Sequence, residues 1–236
     1  MYCGYGILRV QAFEPVNPVN DEAVKFRIIE AGELAMLCAE ADEDSLLTAR
    51  SMRHYSELLS HVTQQTTIIP LRFGTMFHDE GEIRLILKTK AKDYLRLLSR
   101  FTDKIEVELG VWWEKEAFSQ MILKNKKIAR WKKALERGAG EGYDVVEFGQ
   151  AVEELADQER TKLLKAFLTE LQPLSVKHVI KSIVNEHQAF NGVFLVDRKY
   201  EEKFDQAVGG LCDKYSPQLI FKYTGPWAPH HFIEEE

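Results

Sequence analysis

The sequence contains few cysteines, and their spacing builds neither a redox pair nor a metal centre. The three that are present, Cys3, Cys38 and Cys212, lie far apart and form no CxxC motif. An odd number of separated cysteines does not supply the paired framework of a small secreted domain. We therefore expect reduced thiols that pack as small apolar side chains, as in cytosolic proteins.

Long apolar runs are also missing. The most apolar stretches, such as residues 193–196, are far shorter than the ~20 residues that a helix needs to span a bilayer. Residues 1–9 lack the basic segment and the apolar run of a signal peptide. These absences predict a cytoplasmic protein whose partners do not include a lipid membrane.

The chain also lacks a surplus of positive charge. The chain carries 31 Lys and Arg against 37 Asp and Glu, a formal net charge of -6. Because a dedicated nucleic-acid-binding protein needs a basic footprint, this balance argues against a nucleic-acid partner. With 236 residues, of which 45% are hydrophobic and 29% charged, the chain is typical of a globular protein with one large domain or two small ones.

The motifs that carry common catalytic and cofactor chemistry are absent as well. No phosphate-binding glycine loop, GxSxG, HExxH or EF-hand loop is present. The glycine-rich stretch 138–142 has no strand before it and predicts a loop. His178 and His187 lack a third nearby ligand, and the adjacent pair His230–His231 predicts a surface position. The sequence therefore predicts no enzyme activity, no metal site and no cofactor.

The most distinctive stretch that is present covers residues 67–77. It begins as a β-branched run, which favours a strand, and Pro70 must end that strand or place it at a sheet edge. Gly74 permits a turn that other residues resist. Arg72 stands among apolar residues, and its permanent charge would need an acceptor or a carboxylate if it were buried.

Hydrophobic periodicity predicts an α+β domain over residues 1–102. Alternating residues favour three strands, and two amphipathic patterns favour one helix that ends near residue 63 and a second continuous helix. His54 lies close to the apolar stripe of the first helix, where a hydrogen-bonded core position is expected. The predicted strands cover residues 2–10, 25–30 and 34–39, and the second helix covers residues 83–98.

Residues 103–224 predict a second domain with a ferredoxin-like order of elements, enlarged by a long helical insertion in its first crossover. Residues 104–113 alternate strictly, so Glu106 is expected on the polar face of a strand. A helical hairpin follows over residues 116–171. The later elements are strands over residues 175–183, 190–196 and 219–223, with a helix over residues 200–215.

The two arms of that hairpin differ in charge. The first arm is basic around Trp131, and the second arm begins with several carboxylates. One interpretation is an anion or nucleic-acid patch with a stacking aromatic ring. The favoured interpretation is a solvated helix face whose neighbour is the acidic arm, where exposed ion pairs add little stability.

Residues 225–236 form a C-terminal tail. It contains Trp227 and Phe232 together with two prolines, so we expect neither a regular strand nor a helix. Because exposed aromatic residues of this size are unusual, the tail is expected to dock on the rest of the chain or on a partner.

Several segments, taken together and in order, resemble the gas vesicle protein GvpL/GvpF family. The Pro-Leu-Arg-Phe-Gly and Gly-Pro-Trp motifs are the most specific of these. The segments that carry the resemblance are residues 2–7, His54, residues 70–75, residues 106–112, residues 191–196 and residues 224–232.

The resemblance implies a cytoplasmic accessory or minor structural protein of gas vesicles, without enzyme activity or cofactor. It implies two α+β domains, the second a modified ferredoxin fold, with the tail packed back on the first. The implied partners are the small hydrophobic shell protein and other accessory proteins. His230–His231 departs from the family pattern in the tail, and the sequence does not separate GvpF from GvpL.

We expect the chain to present a rigid face to shell subunits before or during their polymerisation. The candidate contact or interdomain residues are Arg72, Phe73, Trp227 and Phe232, since arginine and aromatic side chains dominate interface energetics. The residues expected to hold the structure of these motifs are His54, Pro70, Gly74, Gly225 and Pro226.

Two further interpretations stay open. Ferredoxin-like domains in other proteins bind effectors, so a small-molecule-sensing regulatory module is the main alternative, by analogy of fold alone. RNA binding through the basic helix near Trp131 is the other, and the net charge disfavours it.

Overall fold

The computed structural model describes residues 1–10, 26–41, 48–136 and 145–233. It combines helices with two β-sheets, so the predicted α+β class is confirmed. The chain divides into two compact units. Unit 1 comprises Met1–Val107 and Gly225–Glu236, and unit 2 comprises Glu108–Thr224. Within the described part of the chain, no helix has the length and apolar character needed to cross a membrane.

The sheet of unit 1 is antiparallel and has the order β2-β3-β1-β4, with β5 also paired to β1. The central strands β1 and β3 are mostly apolar, and the pairing of β1 with β3 shifts register between Gly4 and Gly6. The strands are β1 (Tyr2–Arg9), β2 (Phe26–Ala31), β3 (Leu34–Glu40), β4 (Ile69–Pro70) and β5 (Met76–Phe77).

Both faces of this sheet are covered by helices. Leu8 and Leu37 pack with the apolar stripe of α1 (Ala49–Gln65), whereas their neighbours Ile7 and Met36 pack with the two helices that follow β5. Successive strand residues point to opposite faces, which explains why β1 and β3 are apolar at nearly every position. The sheet therefore has a core on each side.

The second helix that the sequence predicts as continuous is in fact two helices. α2 (Glu80–Thr89) ends where Lys90 leaves the helical conformation, and α3 (Ala91–Phe101) begins. Lys90 has φ -103° and ψ 16°, and its N–H still donates to the carbonyl of Ile86 at 3.0 Å. A break confined to one residue leaves the apolar periodicity unchanged, so the sequence pattern does not reveal it.

The second sheet has the order β7-β8-β6-β9. The unit boundary falls within β6 and within β9. Among the described residues, four α-helices accompany this sheet along the chain. The elements are β6 (Lys104–Trp113), α4 (Lys115–Lys124), α5 (Lys126–Glu136), α6 (Val145–Leu171), β7 (Lys177–Ile180), β8 (Gln188–Asp197), α7 (Glu201–Tyr215) and β9 (Leu219–Trp227).

Phenylalanines fill the centre of unit 2. Phe167 of α6 meets Phe190 of β8 edge to face, with ring centroids 5.1 Å apart. Phe204 of α7 lies 5.2 Å from Phe194 of the same strand. All four rings are buried, so α6 and α7 are held on β8 by aromatic packing.

The first arm of the predicted hairpin is broken at Asn125. The side-chain oxygen of Asn125 accepts from the N–H groups of Lys127 and Ile128, at 3.0 and 3.4 Å, and so caps a new helix. The predicted glycine turn at residues 138–142 lies outside the described residues. Asp157 is one of the carboxylates that could face the basic arm across the hairpin. It pairs with Arg160 of its own helix, at 2.6 Å.

Two strand boundaries also differ from the prediction. β7 is shorter than the predicted 175–183, because the segment after it bonds irregularly: the Val184 N–H donates to the side chain of Gln188 at 2.9 Å. β9 is longer than predicted and continues through Gly225 and Pro226 to Trp227, so the expectation that the tail forms no strand was wrong. Gly225 has φ 139°, a conformation that side-chain-bearing residues rarely adopt.

Candidate functional site

The turn after β4 is fixed to the first strand at both ends. The Leu71 N–H donates to the carbonyl of Tyr5, and the Gly4 N–H donates to the carbonyl of Thr75, each over 2.9 Å. Inside the turn, the N–H and the hydroxyl of Thr75 both donate to the carbonyl of Arg72, at 3.1 and 2.7 Å. These bonds hold the backbone of the turn in one conformation.

The motif residues of the turn occupy the positions that their chemistry favours. Pro70 is buried in β4, which is an edge strand of its sheet, where a missing N–H is tolerated. Gly74 has φ 81°, in the left-handed region that favours glycine. Arg72 is exposed, so its guanidinium lies in water and its charge needs no buried carboxylate.

Tyr55 of α1 connects this turn to the C-terminal tail. Its hydroxyl donates to the carbonyl of Leu71, and its ring stacks on Tyr5 at 5.9 Å. Phe73 packs edge-on against the same ring at 5.4 Å, and the ring of His230 lies 6.3 Å away. Burial raises the pKa of Tyr55, so the hydroxyl stays protonated and keeps donating.

We call Arg72, Phe73 and His230, with Tyr55 beneath them, the turn–tail surface. Arg72 and His230 are exposed, and Phe73 is partly exposed. The surface therefore combines a permanent positive charge with aromatic rings on a backbone that is hydrogen-bonded at both ends. Such a combination is typical of protein–protein contacts.

Glu106 and His231 fasten the tail to unit 1. Glu106 is only 1% exposed. One of its carboxylate oxygens accepts the backbone N–H of His231 at 2.8 Å, and the other lies 2.7 Å from Nδ1 of the same residue. A buried carboxylate is costly unless it is hydrogen-bonded or paired, and His231 bonds both of its oxygens.

The remaining predicted tail residues are buried to different degrees. Phe232 is 0% exposed, and its carbonyl accepts a hydrogen bond from the guanidinium of Arg100. Trp227 is partly buried at the end of β9, and Ala228 joins the core beside α1. His54 is partly buried on α1. Phe232 thus lies in the interior of the unit, while Arg72 and Phe73 lie at its surface.

Sequence reasoning missed Glu106 and His231. Strand alternation places Glu106 on the polar face of β6, and nothing local distinguishes it from Glu108 on the same face. Its partner lies 125 positions away, so no spacing signal connects the two. The sequence predicts that both His230 and His231 lie at the surface. His230 is exposed as predicted, whereas His231 is partly buried against Glu106.

The hydrogen-bonding groups of this region are engaged in holding its shape. The Tyr55 hydroxyl donates to a carbonyl, and both oxygens of Glu106 are bonded by His231. A group that is poised for acid–base or nucleophilic work must instead reach a substrate atom. The arrangement is suited to presenting a fixed surface.

Comparison with known proteins gives one consistent result. The family model described as gas vesicle synthesis protein GvpL/GvpF matches residues 2–234. Gas vesicle protein F of Streptomyces sp. (strain CB03234) is 25% identical over 223 residues, which cover 94% of this chain and 93% of that protein. Gas vesicle protein L of the same strain is 26% identical over 204 residues, covering 82% and 73% respectively.

The fold of the chain is also similar to a solved structure. The crystal structure of the gas vesicle protein GvpF from Anabaena sp. PCC7120 superposes with a TM-score of 0.80 at 20% sequence identity. The match covers 100% of this chain and 98% of the other. At this level of identity the likeness establishes the shared fold.

Proposed function

The chain belongs to the GvpL/GvpF family of gas vesicle synthesis proteins, and from this premise we propose that it is a non-catalytic accessory or minor structural protein of gas vesicle assembly. It acts in the cytoplasm and at the gas vesicle, where it binds the hydrophobic shell protein and other accessory proteins. The observation that carries this proposal is a family match over nearly the whole chain, joined to a fixed and exposed turn–tail surface.

The physical need for such a factor follows from the shell protein. A subunit that faces gas on one side must be very apolar there, so it aggregates in water before it is incorporated. A protein that covers this surface and then releases it suppresses aggregation. Arg72 and Phe73 are suited to this contact because they are accessible and rigidly held.

We also propose that residues 103–224 form a ferredoxin-like domain after an N-terminal domain of residues 1–102, with the tail of residues 225–236 returning to the first. The order β6, helices, β7, β8, α7, β9 supports this, as does the sheet order β7-β8-β6-β9. In this arrangement the main role of Gly225, Pro226 and Trp227 is structural, since they set the path of the chain from β9 into the tail.

The test is co-purification of tagged protein with the shell protein. Arg72→Glu and Phe73→Ala are each expected to reduce recovery of the shell protein by about tenfold, because they remove side chains of the kind that dominate interfaces. Trp227→Ala tests the third candidate contact in the same assay. Circular dichroism checks that every variant is folded.

The matched control is Lys92→Glu, an equal charge reversal at an exposed position of α3, on the other face of the sheet. It is expected to leave recovery unchanged. Wild-type recovery with folded Arg72→Glu and Phe73→Ala would exclude the turn–tail surface as the contact. Normal, buoyant vesicles in cells that lack the chain would refute the function itself.

A small-molecule-sensing role is the second candidate. A cavity of about 510 Å³ in unit 2 is lined by residues that include Trp113, Lys124 and Tyr215. This volume is within the range of small-molecule sites. A metabolite-dependent rise in melting temperature that is lost with Tyr215→Ala would support it.

Nucleic-acid binding at the basic helix receives less support. The ring of Trp131 is covered by Lys127, whose Nζ lies 4.5 Å from the ring centroid. Phe148 also packs near this ring, at 6.4 Å between ring centroids. A ring that is occupied in this way is a poor platform for stacking a base.

A further inference from the structure

Unit 2 carries an open groove of about 730 Å³ along helix α6. Its floor is a single face of α6, since the residues of this helix that line it recur at helical spacings of three and four. The wall is the irregular segment between β7 and β8, and Phe118 of α4 also lines the groove. The lining residues are Phe118, Gly149, Val152, Glu153, Ala156, Asp157, Arg160 and residues 183–187.

Polar and apolar residues line the groove in equal numbers, and part of its apolar lining is exposed. Val152 on the α6 floor is partly buried and Ala156 is buried, whereas Ile183 and Val184 on the wall have 38% and 72% of their surface exposed. Val146, which is 63% exposed, lies three residues before Gly149 on the same helix and adds exposed apolar surface near that end of the groove. Exposed apolar side chains gathered in one region mark an interaction site more often than a solvated surface.

The rim of the groove is negative. Glu153, Asp157 and Glu186 oppose a single guanidinium, that of Arg160. Arg160 donates to Asp157 at 2.6 Å, to the carbonyl of Glu186 at 2.8 Å and to the carbonyl of Gln188 at 3.0 Å. The guanidinium of Arg160 therefore bonds one carboxylate and two backbone carbonyls. The exposed carboxylates of Glu153 and Glu186 remain on the rim, with Oε1 of Glu186 3.7 Å from Nε2 of His187.

We propose that this groove docks an amphipathic helix of another gas vesicle protein, one that carries lysine or arginine beside its apolar stripe. The floor from Gly149 to Arg160 is three turns long, or about 16 Å, and so accommodates a helix of the same length side by side with α6. The proposal rests on the proposed accessory function and names a second contact surface for it. Helix-in-groove recognition supplies the affinity through apolar anchors, and the acidic rim supplies orientation.

A second copy of this chain is a poorer occupant. Its own basic helix is α5, but Ile128 on the apolar side of α5 is already buried, and Trp131 packs near Phe148. The apolar stripe that docking requires is therefore engaged within the same chain. A small ligand also fits less well, because all three nitrogens of the Arg160 guanidinium already donate to the protein.

The probe is a synthetic, helix-stabilised peptide of about 14 residues with leucines at positions i, i+3, i+4 and i+7 and lysines on both flanks. Binding to the full chain is measured by fluorescence anisotropy, and methyl NMR locates it through shifts of Val184 and Val152. We expect saturable binding that weakens as salt rises, because the rim charges are exposed. A version with glutamates in place of the lysines is expected not to bind.

Matched variants separate the groove from the rest of α6. Glu153→Lys combined with Glu186→Lys is expected to weaken binding about tenfold, and Val184→Asp to do the same by removing an apolar anchor. Glu154→Lys, one residue along and outside the groove, and Ile220→Asp, an exposed apolar residue on β9, are expected to leave binding unchanged. The single variant Glu153→Lys, which reverses one charge as Glu154→Lys does, is measured beside it and is expected to weaken binding. Equal weakening by Glu154→Lys and Glu153→Lys would overturn the proposal.

Two other results would also overturn it. Peptide binding without shifts at Val184 would place the contact elsewhere. Self-association in sedimentation velocity that Val184→Asp abolishes would make a second copy the occupant. Failure here is distinct from failure of the proposed function, since Arg72→Glu is expected to bind the peptide normally while it loses the shell protein.

Discussion

Glu106 holds a buried carboxylate in a strand that otherwise alternates between core and polar face. Desolvation of this charge would oppose folding if it were not compensated. The backbone N–H and the imidazole of His231 provide two short hydrogen bonds, at 2.8 and 2.7 Å. The position of the tail therefore depends on this polar pair as well as on the burial of Ala228 and Phe232.

His231→Ala is expected to lower the free energy of unfolding by about 1–3 kcal/mol, because the buried carboxylate keeps only its backbone donor. Urea denaturation followed by tryptophan fluorescence measures the loss. His231→Asn, which retains a side-chain donor near the same place, is the control and is expected to lose less. A change below about 0.5 kcal/mol for His231→Ala would mean that the pair does not hold the tail.

The sequence predicts these residue-level contacts only in part. Local backbone features can be predicted from the residue types alone, such as the positive φ of Gly74 and the edge-strand position of Pro70. The role of Glu106 cannot be predicted in this way, since its partner lies 125 positions away. The charge of Arg72 needs a partner only if it is buried, and only the fold places that charge in water.

At the scale of elements, periodicity locates the helices and strands but not their interruptions. The pattern predicts β6 and the long helices because their apolar faces are continuous. The break at Asn125 is capped by a side-chain hydrogen bond to the backbone, and the break at Lys90 lies in the backbone conformation of that one residue. Neither feature changes the apolar pattern.

Strand β9 continues through Gly225 to Trp227. We expect this continuation to require glycine at position 225. A Cβ at Gly225 would lie 2.9 Å from Cγ1 of Val107 and 3.0 Å from the carbonyl oxygen of Glu106, in addition to the strain of φ 139°. Gly225→Ala is expected to cost about 2–4 kcal/mol, the sum of a backbone term and a steric term. Urea denaturation measures it.

Gly32→Ala is the matched control for that prediction. Gly32 also has a positive φ, of 68°, but a Cβ added there would meet no heavy atom of the described residues within 4 Å. Its substitution is expected to cost about 1–2 kcal/mol from the backbone alone. If the two variants lose equal stability, the close approach of Gly225 to β6 contributes nothing and the argument for β9 fails.

At the scale of the whole molecule, each unit encloses its own core. In both units, burial in the core raises the pKa values of ionisable side chains. Acidic hydroxyl and thiol groups lie against these cores, where burial disfavours their charged forms and raises their pKa values. The groups in unit 1 are Cys3, Tyr5, Cys38 and Tyr55, and the pKa of Tyr223 in unit 2 is raised in the same way. The amino-acid composition shows these residues but not which of them are buried.

These shifts predict a loss of stability at alkaline pH. Burial raises the pKa of Cys38 from 9.0 to about 12, so between these values the folded chain keeps a proton that the unfolded chain releases. The contribution of Cys38 is therefore complete below pH 9 and declines as the pH rises towards 12, by about 1.4 kcal/mol per pH unit. Urea denaturation at pH 8 and pH 10 is expected to show this decline, and the decline is expected to be shallower in Cys38→Ala by about 1 kcal/mol. Equal declines in the two proteins would show that the Cys38 thiol ionises as readily in the folded chain as in the unfolded one.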